Sequence, residues 1–322
     1  MTMKKLILAS AIAAVAANSA TAATIYEDKG LTFKMKGDWQ VQLRDDYKKS
    51  SDTDVEFDDL EIKNTVIYDL GNGLKAFGQV DFGFKDAAED KQSGSDLEEA
   101  YVGLQYNNVK VKVGKQDLAG DEFGIEGAYE TTLEEDMFDA VASSGDDVIR
   151  VEADFDMVNV VFSHDLEAEG NDSQNGEATD LFVSANFDAV TVAAAYQTYQ
   201  DTPASADIDT WGVSAEFDAG FATIGADYSS SEEDGSNVEV DLTNLVATFK
   251  ATDTTKIALG YVKLDSDDNS EDADTWYANV TYKFPAQKNV SLFAEVSTTD
   301  FDDAAKDAAT ETDVLAGMRI KF

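Results

Sequence analysis

Carboxylates are the most abundant reactive groups in this sequence. It carries 65 Asp and Glu residues against 24 Lys and Arg, which gives a net charge of −41. Two carboxyl groups placed on either side of a sugar linkage can hydrolyse it as acid and base. With so many carboxylates, however, no single pair stands out, and we predict no enzyme activity. The summed negative field repels phosphates and attracts cations, which excludes nucleic acid as a partner.

Other reactive groups are scarce. The absence of cysteine excludes disulfides and thiolate metal sites. The single histidine, His164, has no set of partner residues that would make it a base or a metal ligand. Residues 265–269 are spaced like the start of a calcium loop, but Ser270 stands where Gly is required and Trp276 where a bidentate Glu is required. We predict no cofactor, although weak Ca²⁺ or Mg²⁺ binding by acidic loops stays open.

The elements that position these charges are β-strands. In the last nine residues, alternate positions carry apolar side chains that end in Phe322, and a period of two is typical of a strand whose faces meet different surroundings. Similar segments recur along the chain and are separated in turn by short Gly, Asn, Asp or Pro turns and by long acidic loops. Counting them predicts 16 strands, with seven short turns and eight long loops.

The two faces of these strands differ. One face is apolar, and aromatic residues end it beside the short turns, as in the interfacial girdle of a membrane barrel: Tyr106, Phe155, Phe187, Phe217, Phe249, Phe284 and Phe322. The other face carries the polar and charged residues Glu61, Lys63, Gln79, Asp81, Arg150, Glu152, Asp154, Glu216, Asp227, Lys283, Glu295 and Arg319. So many charges require a wet interior. The pattern predicts an all-β, transmembrane antiparallel β-barrel with short periplasmic turns and long external loops.

The first residues have the pattern of an export signal. Lys4 and Lys5 precede an apolar run over residues 6–17, and small residues at 20–22 provide a cleavage site. The run is too short to span a hydrocarbon core of about 30 Å. We predict a cleaved signal peptide over residues 1–22 and a single barrel domain over residues 23–322.

Several short segments, in order and at the expected spacing, carry a family resemblance: residues 23–30, 74–80, 100–106, 114–115 and 319–322. Through them the chain resembles the general (trimeric, 16-stranded) porins of Gram-negative outer membranes. The resemblance implies passive diffusion of small hydrophilic solutes through a homotrimer embedded among outer-membrane lipid and lipopolysaccharide. It also implies that the terminal Phe322 is part of the signal read by the barrel-assembly machinery.

The resemblance also implies that the long third loop, residues 115–147, folds into the lumen and narrows it. Residues 133–138 look like the family's acidic constriction segment. Its acids would face a basic wall across the pore, with two further wall positions, basic in the family, held here by acids: the expected constriction set is Lys115, Arg150, Glu134, Glu135, Asp136, Asp38 and Glu61. Arg150 could either line the pore or pair with a loop carboxylate and tether the loop.

Two functions fit these observations. The first is an outer-membrane channel for small hydrophilic solutes and ions that prefers cations, since acidic rings favour cations in a pore. The alternative is a structural or adhesive surface barrel whose loops bind a partner. The wet interior and the long third loop favour the channel.

Overall fold

The structure is a computed structural model that describes residues 22–45, 53–88, 94–167, 176–236, 238–267, 272–301 and 310–322. Nearly all of the predicted signal peptide, residues 1–21, lies outside the described residues. In the described ranges, no helix is both long and apolar enough to cross a membrane.

Strands make up nearly all of the regular structure, and the helical pieces are short. The elements are β1 Ala23–Asp28, β2 Leu31–Asp45, β3 Asp54–Glu56, β4 Leu60–Gly71, β5 Leu74–Gly83, α1 Lys85–Ala88, β6 Asp96–Tyr106, β7 Val109–Asp117, a 3₁₀ turn Gly120–Glu122, α2 Met137–Val141, β8 Ser144–Phe155, β9 Val158–Asp165, β10 Glu177–Phe187, β11 Val190–Gln200, β12 Ile208–Asp218, β13 Ala222–Glu233, β14 Glu239–Lys250, β15 Thr255–Ser266, β16 Ala273–Phe284, β17 Gln287–Phe301 and β18 Thr310–Lys321.

Sixteen of the strands close into one antiparallel barrel, which confirms the predicted count. Strand β2 pairs with β4, each later strand pairs with its successor, and β18 returns to β2 with Val314 opposite Asp45 and Lys321 opposite Asp38. Strand β3 is a short addition to the outer end of β2. Closure leaves no unpaired strand edge in the ring, as a lipid environment requires.

Strand β1 lies along the same edge of β2 as β18 does. It pairs with residues 31–35 of β2, and β18 pairs with residues 38–45. The backbone of Phe322 bonds to Gly37 between these two stretches, with N···O distances of 2.8 and 3.0 Å. Strand β1 and Phe322 therefore meet at one seam of the barrel.

The distribution of side chains is inverted relative to a soluble protein. Large apolar residues point outward, for example Val102 at 68% exposure and Trp276 at 61%, whereas Gln40 and Gln197 on the inner face are 0% exposed. Buried polar and exposed apolar groups are the informative exceptions to ordinary burial. They confirm that the outer face meets lipid and that the interior is polar.

The short turns lie where the sequence predicts them, and each joins its strands through two to four residues. Asn72, Asn107 and Asp188 adopt positive φ angles of 55°, 52° and 55°, a conformation that Asn and Asp tolerate better than other non-glycine residues. The third loop is shorter than predicted and covers residues 118–143, because β7 continues to Asp117 and β8 begins at Ser144. His164, the single histidine, lies near the end of β9.

Candidate pore constriction

The third loop runs along the inner wall of the barrel. Its backbone bonds to successive strands as it proceeds, through Ala119 N to Ser163 Oγ of β9 at 2.7 Å, Ile125 O to Asn244 Nδ2 of β14 at 2.9 Å, Gly127 O to Asn279 Nδ2 of β16 at 2.7 Å, and Tyr129 N to Glu295 Oε2 of β17 at 2.7 Å. The loop then returns along the wall to α2 and β8. The third loop therefore lies against the inner wall and occupies part of the lumen.

Glycines in the barrel wall let the third loop approach the strands closely. A Cβ at Gly212 of β12 would lie 2.5 Å from the ring of Phe123, and one at Gly225 of β13 would lie 2.7 Å from Ile125 Cδ1. A glycine within a strand commonly marks such a close approach. The loop side chains that fill these gaps are buried. Phe123 also packs on Phe138 of α2, with ring centroids 4.9 Å apart, so the outgoing and returning parts of the loop share one apolar core.

Two of the three loop acids expected to line the constriction are buried and hydrogen-bonded within the loop. Glu135 is buried and accepts hydrogen bonds from Gly127 N, Ala128 N and, at 2.7 Å, Tyr277 Oη of β16. Asp136 is buried and caps α2 by accepting from the backbone N of Phe138 and Asp139. Backbone N–H groups at a helix start and in an irregular loop need acceptors when they are buried. These two carboxylates therefore hold the loop together and do not face Arg150, whereas Glu134 is exposed.

Arg150 lies at the base of the third loop. Only 3% of it is exposed. Its guanidinium donates to the carbonyl oxygens of Asp117 at 3.0 Å and Leu118 at 2.7 Å, and it pairs with Glu122 and Glu152. The expected contact with residues 134–136 is thus replaced by one with Glu122, which agrees with the tether interpretation of Arg150.

The remaining three residues of the expected set also do not face residues 134–136. They are Lys115, Asp38 and Glu61. Lys115 pairs with Asp146 at the outer base of the loop. Asp38 is buried and accepts from Arg319 at 2.7 and 2.8 Å, and it pairs with Lys321 at 2.9 Å. Glu61 lies near the outer end of β4, in the wall. The expected set is therefore distributed over three places: Lys115 and Arg150 at the base of the third loop, residues 134–136 within the loop, and Asp38 opposite Glu61 on the neighbouring strands β2 and β4.

An open cavity of about 550 Å³ lies between the third loop and the ends of the strands near the short turns. Acids of the third loop and of the segment before β4 line one part of it, and bases near the ends of three strands line the other: Asp58, Asp59, Asp121, Glu122 and Glu126, and Lys256, Lys283, Arg319 and Lys321. Charges of opposite sign on facing parts of a narrow lumen create a transverse field. The alternating pattern of the strands predicted that Lys283 and Arg319 lie on the inner face. The acids of the third loop follow no such pattern, so the sequence could not identify them as lining residues.

Asp121 is the loop acid with the most strongly altered ionisation. Burial, followed by repulsion from Asp117, Asp139 and Glu122, raises the pKa of Asp121 to about 8, and Arg150 opposes the change. The neutral form therefore predominates below this pH and the carboxylate above it. Because the pKa is raised, Asp121 favours the packed loop at low pH, and that contribution is lost as the pH rises toward about 8.

We expect the ratio of cation to anion permeability to rise with pH over about pH 7–9, as Asp121 loses its proton beside the cavity. Reversal potentials measured in a salt gradient at several pH values check this. Asp121→Asn should flatten the rise. Asp253→Asn is the matched control, since Asp253 is exposed at a short turn and should leave the rise unchanged. A pH profile that is the same in wild type and Asp121→Asn would exclude Asp121 as the titrating group.

Comparison with known proteins supports the fold and gives the family. The Gram-negative porin family matches residues 9–304, and the chain belongs to this family. The porin-like protein H of Photobacterium profundum is 25% identical over 349 residues, covering 99% of this chain and 100% of that one. The trimer form of the outer membrane protein OmpT of Vibrio cholerae superposes with a TM-score of 0.72 at 19% identity, covering 91% of this chain and 100% of that one.

An anion-selective porin from Comamonas acidovorans has the same fold, with a TM-score of 0.75 at 15% identity, and covers 91% of this chain and 100% of that one. The chain is thus an outer-membrane porin, and its family and fold are those of channels and not of enzymes. The fold itself leaves the sign of the ion preference open, because that depends on the side chains in the lumen.

Proposed function

We propose that this channel passes small hydrophilic solutes by passive diffusion and prefers cations. The observation that carries the proposal is the cavity beside the third loop, where five acids face four bases. Two of the bases, Arg319 and Lys321, pair with the buried Asp38, Arg319 also pairs with Asp59, and Glu122 pairs with Arg150. Asp58, Asp121 and Glu126 then remain against Lys256 and Lys283, so the lining is negative when all three acids are ionised. The net charge of −41 strengthens this negative field from a distance.

Reversal potentials in a KCl gradient across a planar bilayer test the preference. We expect cation preference in the wild type, a decrease in Glu126→Gln, and an increase in Lys283→Gln, since each removes one charge that lines the cavity. The preference should weaken at high salt, because the Debye length falls from about 10 Å at 0.1 M to about 3 Å at 1 M. Asp253→Asn again serves as the control. Anion preference of the wild type would refute the proposal.

The same recordings distinguish the channel from a surface barrel with an adhesive role. A purified protein that folds and inserts but conducts no ions would favour the adhesive alternative. We propose further that the chain works as a homotrimer among outer-membrane lipid and lipopolysaccharide, without a cofactor, after insertion by the barrel-assembly machinery. The trimer form of the structurally similar OmpT supports the oligomeric state.

A further inference from the structure

Three carboxylates converge near the outer ends of neighbouring strands, within electrostatic range of Asp59, which lines the cavity beside the third loop. One oxygen from each of Glu61, Asp81 and Glu98 lies within 4.8 Å of the others. The residues belong to three neighbouring strands, β4, β5 and β6, near the ends that join the long loops. Two ligands of one Ca²⁺ ion, each about 2.4 Å from it, lie at most about 4.8 Å apart. The three oxygens are therefore close enough together to share one such ion.

A break in the strand pairing brings the third carboxylate to this position. Asp81 pairs with Glu99, but the next residue, Phe82, pairs with Leu97, so Glu98 is the extra residue of a β-bulge. Bulges commonly redirect a side chain. Here the side chain of Glu98 lies over Gly83, where an added Cβ would be only 2.0 Å from Glu98 Oε1. The backbone thus leaves the space that the carboxylate occupies.

The carboxylate at the centre of the cluster lacks a partner for one of its oxygens. Asp81 is 1% exposed, and its Oδ2 pairs with Lys63 at 2.9 Å. Its Oδ1 is buried and has no hydrogen-bond donor in the part of the chain that the structure describes. A buried acceptor without a donor is costly, and native structures usually satisfy it with a protein group, water or an ion. The unpaired Oδ1 of Asp81 is therefore a second, independent indication of a bound ligand.

The nearby charges do not balance. Among the residues that the structure describes, four carboxylates meet two ammonium groups in this cluster, namely Glu61, Asp81, Glu98 and Glu99 with Lys36 and Lys63. Lys36 Nζ lies 3.9 Å from Glu61 Oε1, and Lys63 Nζ divides its contacts between Asp81 and Glu99. The four negative and two positive charges leave an excess of two negative charges, which one divalent cation neutralises.

We infer that Glu61, Asp81 and Glu98 form a calcium site at the outer mouth of the channel. Carboxylate oxygens are the ligands that Ca²⁺ takes, and its coordination is flexible enough to accept water for the remaining positions. Glu98 is exposed, so the ion enters from the outer solution and keeps water ligands on that side. The bound ion ties together the outer ends of β4, β5 and β6.

Titration calorimetry of the folded protein in detergent, after treatment with a chelator, tests the site with Ca²⁺ as the probe. About 1 M KCl suppresses diffuse binding to the many exposed acids, because the Debye length is then about 3 Å. We expect saturable binding of one Ca²⁺ per chain, weaker binding of Mg²⁺, which demands a stricter octahedral geometry, and a higher unfolding temperature with Ca²⁺ present. Absence of a saturable site in the wild type would overturn the inference.

Neighbouring residues supply a matched pair of variants. Glu98→Gln removes a proposed ligand at an exposed position, and it should abolish the saturable binding and the calcium-dependent rise in unfolding temperature. Glu99→Gln removes the same charge one residue away but no proposed ligand, and it should keep one Ca²⁺ per chain. Gel mobility with and without heating confirms that both variants are folded. Equal loss in both variants, or unchanged binding in Glu98→Gln, would refute the site.

Discussion

Replacing Arg150 with alanine is expected to make the open-channel current flicker, with little change in reversal potential. The buried guanidinium supplies donors to the carbonyl oxygens of Asp117 and Leu118 and pairs with Glu122. Alanine leaves these acceptors without a donor at the point where the third loop begins. Removing one partner of a buried ion pair costs about 3–5 kcal/mol. Since the Glu122 side chain is 43% exposed, water recovers part of this cost.

Each increment of about 1.4 kcal/mol in the energy lost raises the population of a displaced loop tenfold. Single-channel recordings in planar bilayers measure both noise and reversal potential. Lys115→Ala is the matched control: it also removes a cation that pairs near the loop base, but its ion pair with Asp146 is more exposed and worth less, so its current should stay quiet. Quiet openings of Arg150→Ala with a shifted reversal potential would show instead that Arg150 lines the pore.

Deleting Phe322 is expected to reduce the amount of folded trimer strongly and to leave the conductance of each surviving channel nearly unchanged. The backbone of Phe322 makes both hydrogen bonds to Gly37 that complete the seam between β18 and β2. Its ring lies against Gly37 and contacts Trp39 edge-on, with centroids 5.4 Å apart. The deletion removes these contacts at the step that closes the barrel. We also expect this terminal residue to be read by the barrel-assembly machinery.

Heat-dependent mobility on gels measures the folded trimer, and planar bilayers measure the channels that remain. Phe322→Tyr keeps the ring and the backbone bonds, so it should assemble close to the wild-type amount. Gly37→Leu fills the space of the Phe322 ring, since even a Cβ at this position would be 2.3 Å from Phe322 Cζ, and it should resemble the deletion. Wild-type amounts of trimer in the deletion would contradict both the seam and the assembly signal.

Local sequence patterns determined the barrel. A period of two decides which side chains meet lipid and which meet water, so the faces of strands such as β2, β16 and β18 could be read directly. Asn72, Asn107 and Asp188 marked short turns because their side chains tolerate a positive φ. These signals depend on neighbours a few residues apart. The strand count and the closed fold therefore followed from the sequence alone.

Only the tertiary structure decided the constriction. The third loop has no period, and its path depends on contacts between residues far apart in the chain, such as Tyr129 with Glu295 and Phe123 with the bare backbone of Gly212. The charges of Glu135 and Asp121 look alike in the sequence. Their roles differ because one carboxylate accepts buried backbone N–H groups and the other lies beside the cavity. Which acid meets the permeating ion is a property of that packing.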